Sequence, residues 1–120
     1  MANEISLNVN GNVQNGTFKF ELLPQTQFQY DQATAGGGSL WLDIGTTKET
    51  VSFGDGSPGV VLIRNQDATN FVTFGDNSAT ALVGKISPGQ LAIFEMASGA
   101  TLALKADTAA CKVEVRFANA

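Results

Sequence analysis

The sequence predicts an all-β chain, an antiparallel β-sandwich of two packed sheets with the jelly roll as its candidate topology. Three observations carry that expectation. Apolar and polar residues alternate with period two in short runs, and turn clusters separate the runs at roughly ten-residue intervals. No stretch of a dozen residues keeps apolar positions at helical spacing without a Gly, Pro or β-branched interruption. About ten short strands in one chain is the pattern of a sandwich or small barrel.

Taken in order, Ile5, Leu7 and Val9 alternate with polar residues up to Asn10-Gly11, which reads as a turn, and Phe18, Phe20 and Leu22 repeat the pattern up to Pro24. From Gln25 to Gln32 a strand places Gln25, Gln27 and Gln29 on one face and Phe28 and Tyr30 on the other. Gly36-Gly37-Gly38 then breaks the chain. Leu40, Leu42 and Ile44 line an inward face with Trp41 and Asp43 opposite, and Val51 and Phe53 lead into the turn cluster Gly54 to Gly59.

Val60-Val61-Leu62-Ile63 and Leu91-Ala92-Ile93-Phe94 are continuous apolar runs, the signature of strands covered on both faces. Between them Phe71 to Phe74 ends at Gly75-Asp76-Asn77, and Ser87-Pro88-Gly89 supplies a further turn. Leu102 and Leu104 alternate again. Val113, Val115 and Phe117 close the chain with Lys112, Glu114 and Arg116 pointing away. With no boundary signal, residues 1–120 read as one sandwich domain, residues 1–4 forming a loose arm.

Composition narrows the function. Seven basic against eleven acidic residues give a net charge of -4, and the five Lys and two Arg are scattered, which argues against nucleic-acid binding. No apolar run approaches the roughly 20 residues of a membrane-spanning helix. Met1 to Glu4 lacks the basic and apolar regions of a signal peptide, so synthesis in a cytoplasm is expected.

A chemical site is hard to assemble from these residues. The absence of histidine removes the usual base of Ser and Cys nucleophiles and the commonest zinc ligand. Cys111, the sole cysteine, reads as a small core residue. Asp43 with Glu49, or Asp55 with Asp76, are the carboxylate pairs a glycosidase could use, but eleven acidic groups make such pairs by chance. Asp55-Gly56-Ser57 and Asp76-Asn77-Ser78 offer oxygen ligands without a calcium-loop spacing and read as turns, as does Asn15-Gly16-Thr17. The expectation is a protein that is not an enzyme and takes no cofactor or metal. Its candidate contact residues are Gln27, Phe28, Gln29, Tyr30 and Trp41, the last because an outward Trp beside a core-facing strand suits a subunit contact.

Residues Gly59 to Val72 (GVVLIRNQDATNFV), Phe74-Gly75 and Ile86 to Phe94 (ISPGQLAIF), with Ile44 to Glu49 upstream and Leu102 to Thr108 downstream, resemble small structural proteins of tailed phages, including head decoration or cement proteins. The resemblance spans roughly residues 40 to 117 and carries over no catalytic or metal-binding residue. It implies a homo-oligomer made in a bacterial host that binds the major capsid protein on the outside of the head, with neither nucleic acid nor membrane as partner. A tail or fibre-associated virion protein fits the same motif, and a carbohydrate-binding module using Trp41 and Tyr30 is the reading from another class. Asn65, Asp67 and Asn70 are expected to bond nearby backbone and shape a turn between two buried strands.

Overall fold

A computed structural model describes residues 4–54 and 56–120, and every helix or strand among them is a strand. The chain forms two compact units, Met1–Ala33 and Thr34–Ala120. The loose arm expected at residues 1–4 lies, Glu4 excepted, outside the described residues.

The first unit is a two-stranded ribbon of β1 (Ile5–Asn15) and β2 (Phe18–Tyr30). Asn15 pairs with Phe18, so the strands reverse through the two-residue loop Gly16-Thr17. Gly16 has φ of 59°, a left-handed conformation that glycine takes without steric cost. The turn expected at Asn10-Gly11 is a correction: both residues lie within β1, and β2 continues through Pro24. Pro24 has no N–H for the ladder, and it sits where the pairing jumps from Val9↔Thr26 to Gly11↔Leu23.

A second jump, from Gly11↔Leu23 to Asn12↔Glu21, leaves Leu22 without a pair. Each irregularity adds one residue to β2. One alone would turn every later side chain to the opposite face, and the second restores the parity. Phe18 and Phe20 therefore share a face with Phe28 and Tyr30.

The second unit holds β3 (Gly37–Ile44), β4 (Glu49–Thr50), β5 (Pro58–Asn65), β6 (Val72–Asp76), β7 (Gly84–Ile86), β8 (Leu91–Glu95), β9 (Leu102–Ala106) and β10 (Cys111–Asn119). One antiparallel sheet has the order β3-β10-β5-β8 and the other β4-β9-β6-β7. Pairing is nested: β3 with β10, β4 with β9, β5 with β8 and β6 with β7. Every connection except β6 to β7 carries the chain from one sheet to the other.

Inward side chains of both sheets form one core, including Ile44, Val61, Ile63, Val113 and Val115 from the first and Val72, Ile86, Leu102, Leu104 and Ala106 from the second. The all-β fold with packed antiparallel sheets agrees with the sequence reading, and Leu40, Leu42 and Ile44 turn inward as their spacing requires. Two local expectations are corrected. The Gly36-Gly37-Gly38 segment does not break the chain, because β3 starts at Gly37; a Cβ on Gly38 would lie 2.9 Å from the Phe117 ring, which occupies that space. Leu91 to Phe94 is not covered on both faces, since β8 is an edge strand whose Leu91 and Ile93 point outward and are exposed. The short strand β7 carries buried Ile86 but has too few residues to show a periodicity.

Asn65, at the end of β5, is fully buried and fully bonded. Its amide nitrogen donates to the carbonyls of Asn70 (2.9 Å) and Ile86 (3.1 Å), and its side-chain oxygen accepts from Asp67 N–H at 2.9 Å. Asp67 in turn accepts from the N–H groups of Thr69 (3.0 Å) and Asn70 (2.7 Å), which hold its carboxyl below the usual range. The side chains of Asn65 and Asp67 thus shape the loop as the sequence suggests, while Asn70 takes part through its backbone. Asn65→Ala strands a buried donor and two carbonyls and is expected to cost about 3 kcal/mol in urea denaturation. Asn65→Asp would aim a carboxylate oxygen at the two carbonyls, so its loss should be greater at about pH 7 than at about pH 4, where a protonated carboxyl can donate.

Candidate functional site

The side chains with chemical potential are occupied in structural work. The Asp43 carboxylate meets Lys112 Nζ at 3.2 Å on an exposed face, and Glu49 accepts the Gly45 N–H at 2.6 Å. Asp76 accepts from the Ser78 hydroxyl and N–H, which lowers its carboxyl, as Asp-x-Ser turns do. Asp55 lies outside the described residues. Among the described residues no group of three or more Cys, Asp or Glu could hold a metal ion, and no helix is long and apolar enough to cross a membrane.

Cys111 is buried at the start of β10, with its thiol near the carbonyls of Ala109 (3.6 Å) and Asn70 (3.7 Å). Burial, then the charges of Asp67 and Asp107, push the thiol up. A thiol in that setting is a core residue and a poor nucleophile.

The surfaces that remain are apolar. On the ribbon, register places Ile5, Leu7, Val9 and Val13 of β1 on one face with Tyr30, Phe28, Leu23, Phe20 and Phe18 of β2. Leu22 lies against this face, its Cβ 3.6 Å from where a Cβ on Gly11 would sit. Phe18, Phe20, Leu22 and Phe28 are exposed to 58%, 53%, 65% and 38%, and no described residue of the ribbon is fully buried. The rings of Phe18 and Phe20 stack at 6.4 Å. The opposite face carries Ser6, Asn8, Asn12 and Gln14 with Gln29, Gln27, Glu21 and Lys19. There Gln27 donates to the Ser6 hydroxyl at 2.8 Å.

On the sandwich, the outward face of the first sheet runs Trp41, Glu114, Arg64, Leu91 in one row and Ser39, Arg116, Leu62, Ile93 in the next. Trp41 is 65% exposed on one edge strand and Leu91 is 55% exposed on the other, about 14 Å away across three strand spacings. Between them Glu114 is buried among its neighbours, accepting from Arg116 Nε at 2.8 Å and Gln66 Nε2 at 3.4 Å. Lys112 and Arg116 point away from the core as expected. Glu114 faces outward too but is covered. An open apolar cleft of about 230 Å³ lies between Phe74, Phe94, Met96, Ala97 and Leu102.

The five contact residues expected from sequence fall on three surfaces of the two units. Gln27 and Gln29 share the polar face of the ribbon, Phe28 and Tyr30 the apolar face, and Trp41 belongs to the other unit. Phe18, Phe20 and Leu22 were not among them, although their even-numbered parity matches that of Phe28 and Tyr30. Leu91 and Ile93 were absent because a continuous apolar run looks like a buried strand. Comparison of the chain with family models, curated proteins and solved structures finds no match.

The raised Cys111 thiol has a pH consequence of definite sign. An unfolded chain ionises this thiol near its ordinary value of 9.0, whereas the folded chain resists, so the contribution is fully present below pH 9.0 and is lost as pH rises above it. The difference in urea midpoint between the natural chain and Cys111→Ala should therefore shift against the natural chain on passing above that pH. A thiol-reactive disulfide reagent should label Cys111 only upon unfolding.

Proposed function

We propose that this protein is a structural subunit of a larger protein assembly, attached through apolar surface that its own core leaves uncovered. One observation carries the reading. The sandwich closes its core with aliphatic side chains and the rings of Phe53, Phe74, Phe94 and Phe117, yet Phe18, Phe20, Leu22 and Phe28 stay exposed on the ribbon and Trp41 and Leu91 on the sandwich. Exposed large apolar side chains gathered on one face mark interaction surfaces more often than they mark chemistry. Sparse charge suits broad contacts, because few ions lose their hydration when surfaces meet.

The resemblance of residues 40 to 117 supports a tailed-phage particle as the assembly, and as the role that of a decoration protein binding the major capsid protein on the outer face of the head. The nested strand pairing supports the jelly-roll reading, since a long hairpin rolled onto itself pairs its strands in that order. Many copies, each held modestly, would reinforce a shell through multivalency. In this role the protein is not an enzyme, uses no cofactor and acts on the virion surface after synthesis in the host cytoplasm.

Co-sedimentation of the purified protein with empty heads and, separately, with tails tests this. Saturable binding to heads is expected, weakened about tenfold or more by Trp41→Ala with little change in the unfolding midpoint. Retention on tails alone would move the protein to the tail or fibre class. Binding to neither, with Trp41-dependent binding on a glycan array, would replace the reading with a carbohydrate-binding module.

A further inference from the structure

We infer that the apolar face of the ribbon is closed by the same face of a second copy, giving a four-stranded, two-layered clasp between two chains. The inference rests on the assembly reading above and names the partner of one of its surfaces. A two-stranded sheet alone is marginal in water, and a ribbon of 11- and 13-residue strands with no fully buried described residue needs cover along its whole length.

Three properties of the face select a second copy as that cover. The first is chemical. The β1 side of the face is aliphatic (Ile5, Leu7, Val9, Val13), and the β2 side is mostly aromatic (Phe18, Phe20, Phe28, Tyr30). A two-fold axis along the ribbon lays β1 of each copy over β2 of the other at unchanged height. Because Ile5 is level with Tyr30, Leu7 with Phe28 and Val13 with Phe20 within one chain, these three aliphatic residues each meet an aromatic residue of the second copy, and Val9 meets Thr26, across the ordinary spacing of about 10 Å between packed sheets.

The second property is charge. Lys19 and Glu21 both lie on the opposite face, so two copies meet without like charges opposed and without burying an ion. The third is size: at the exposures above, Phe18, Phe20, Leu22 and Phe28 alone offer roughly 400 Å² of apolar surface, and the half-buried Ile5, Leu7, Val9, Val13, Leu23 and Tyr30 extend it toward the 800 Å² or so per partner of a standard interface.

Sedimentation equilibrium of the intact chain, alone and at micromolar concentration, tests the clasp. A dimer or other even-numbered oligomer is expected, and Phe20→Lys with Phe28→Lys should raise its dissociation constant about thirtyfold or more. Asn12→Lys and Gln14→Lys, on the polar face, should leave the mass unchanged. If the charged apolar-face variant unfolds, Val13→Cys decides the matter: a short bismaleimide should link two chains through it and should not link Asn12→Cys chains, Cys111 being buried and a spectator. A monomer, an odd-numbered oligomer, or equal cross-linking from both faces would overturn the clasp. A monomer that still binds phage heads would remove the clasp and keep the decoration reading, whereas a face-dependent dimer that binds no particle would do the reverse.

Discussion

The sandwich depends on β10. This strand is hydrogen-bonded to β3 on one edge and β5 on the other, and its Cys111, Val113 and Val115 are wholly buried. It holds β3, about seventy residues earlier in the chain, in the same sheet as the β5–β8 pair. As the outermost pair of the nest, β3 and β10 close a loop that contains all the other strands of the sandwich. Long-range pairings of this kind make for slow folding, since the entropy of closing large loops is spent before the contacts stabilise anything.

Around that frame, polar groups are placed so that the core can close. Asn65 bonds its own loop and the end of β7, and among the described residues no buried side-chain nitrogen or oxygen lacks a partner. Lys48 does similar work on the other sheet, donating to the carbonyls of Asn77 (2.6 Å) and Ala79 (2.8 Å) and so fixing the loop after β6. A core satisfied in this way needs nothing further from Trp41 or Leu91. Their exposure is then a property of the surface and not a defect of the interior.

The ribbon follows a different logic. Its two bulges cost ladder hydrogen bonds, and because the second undoes the flip of the first, one apolar face runs from Tyr30 to Phe18. The interior of the sandwich is closed by its own side chains, whereas the apolar face of the ribbon is left exposed.

The sequence by itself determined the strand class and most of the inward and outward assignments, because a period of two is a local property of the pleated backbone. Leu40, Leu42 and Ile44 inward, Trp41 outward, and the alternation of β10 could all be read without a partner strand. The tight turn at Gly16 was legible too, and so was the backbone-bonding role of Asn65 and Asp67. Tertiary structure decided what depends on a neighbour: that Asn10-Gly11 and Pro24 lie within paired strands, that β8 is an edge and leaves Leu91 exposed, that Phe117 fills the space beside Gly38, and that an outward Glu114 is buried. The candidate surface divides in the same way. Its residue types are visible in sequence, but which of them share a face is set by cross-strand register, a relation between distant segments that no local pattern contains.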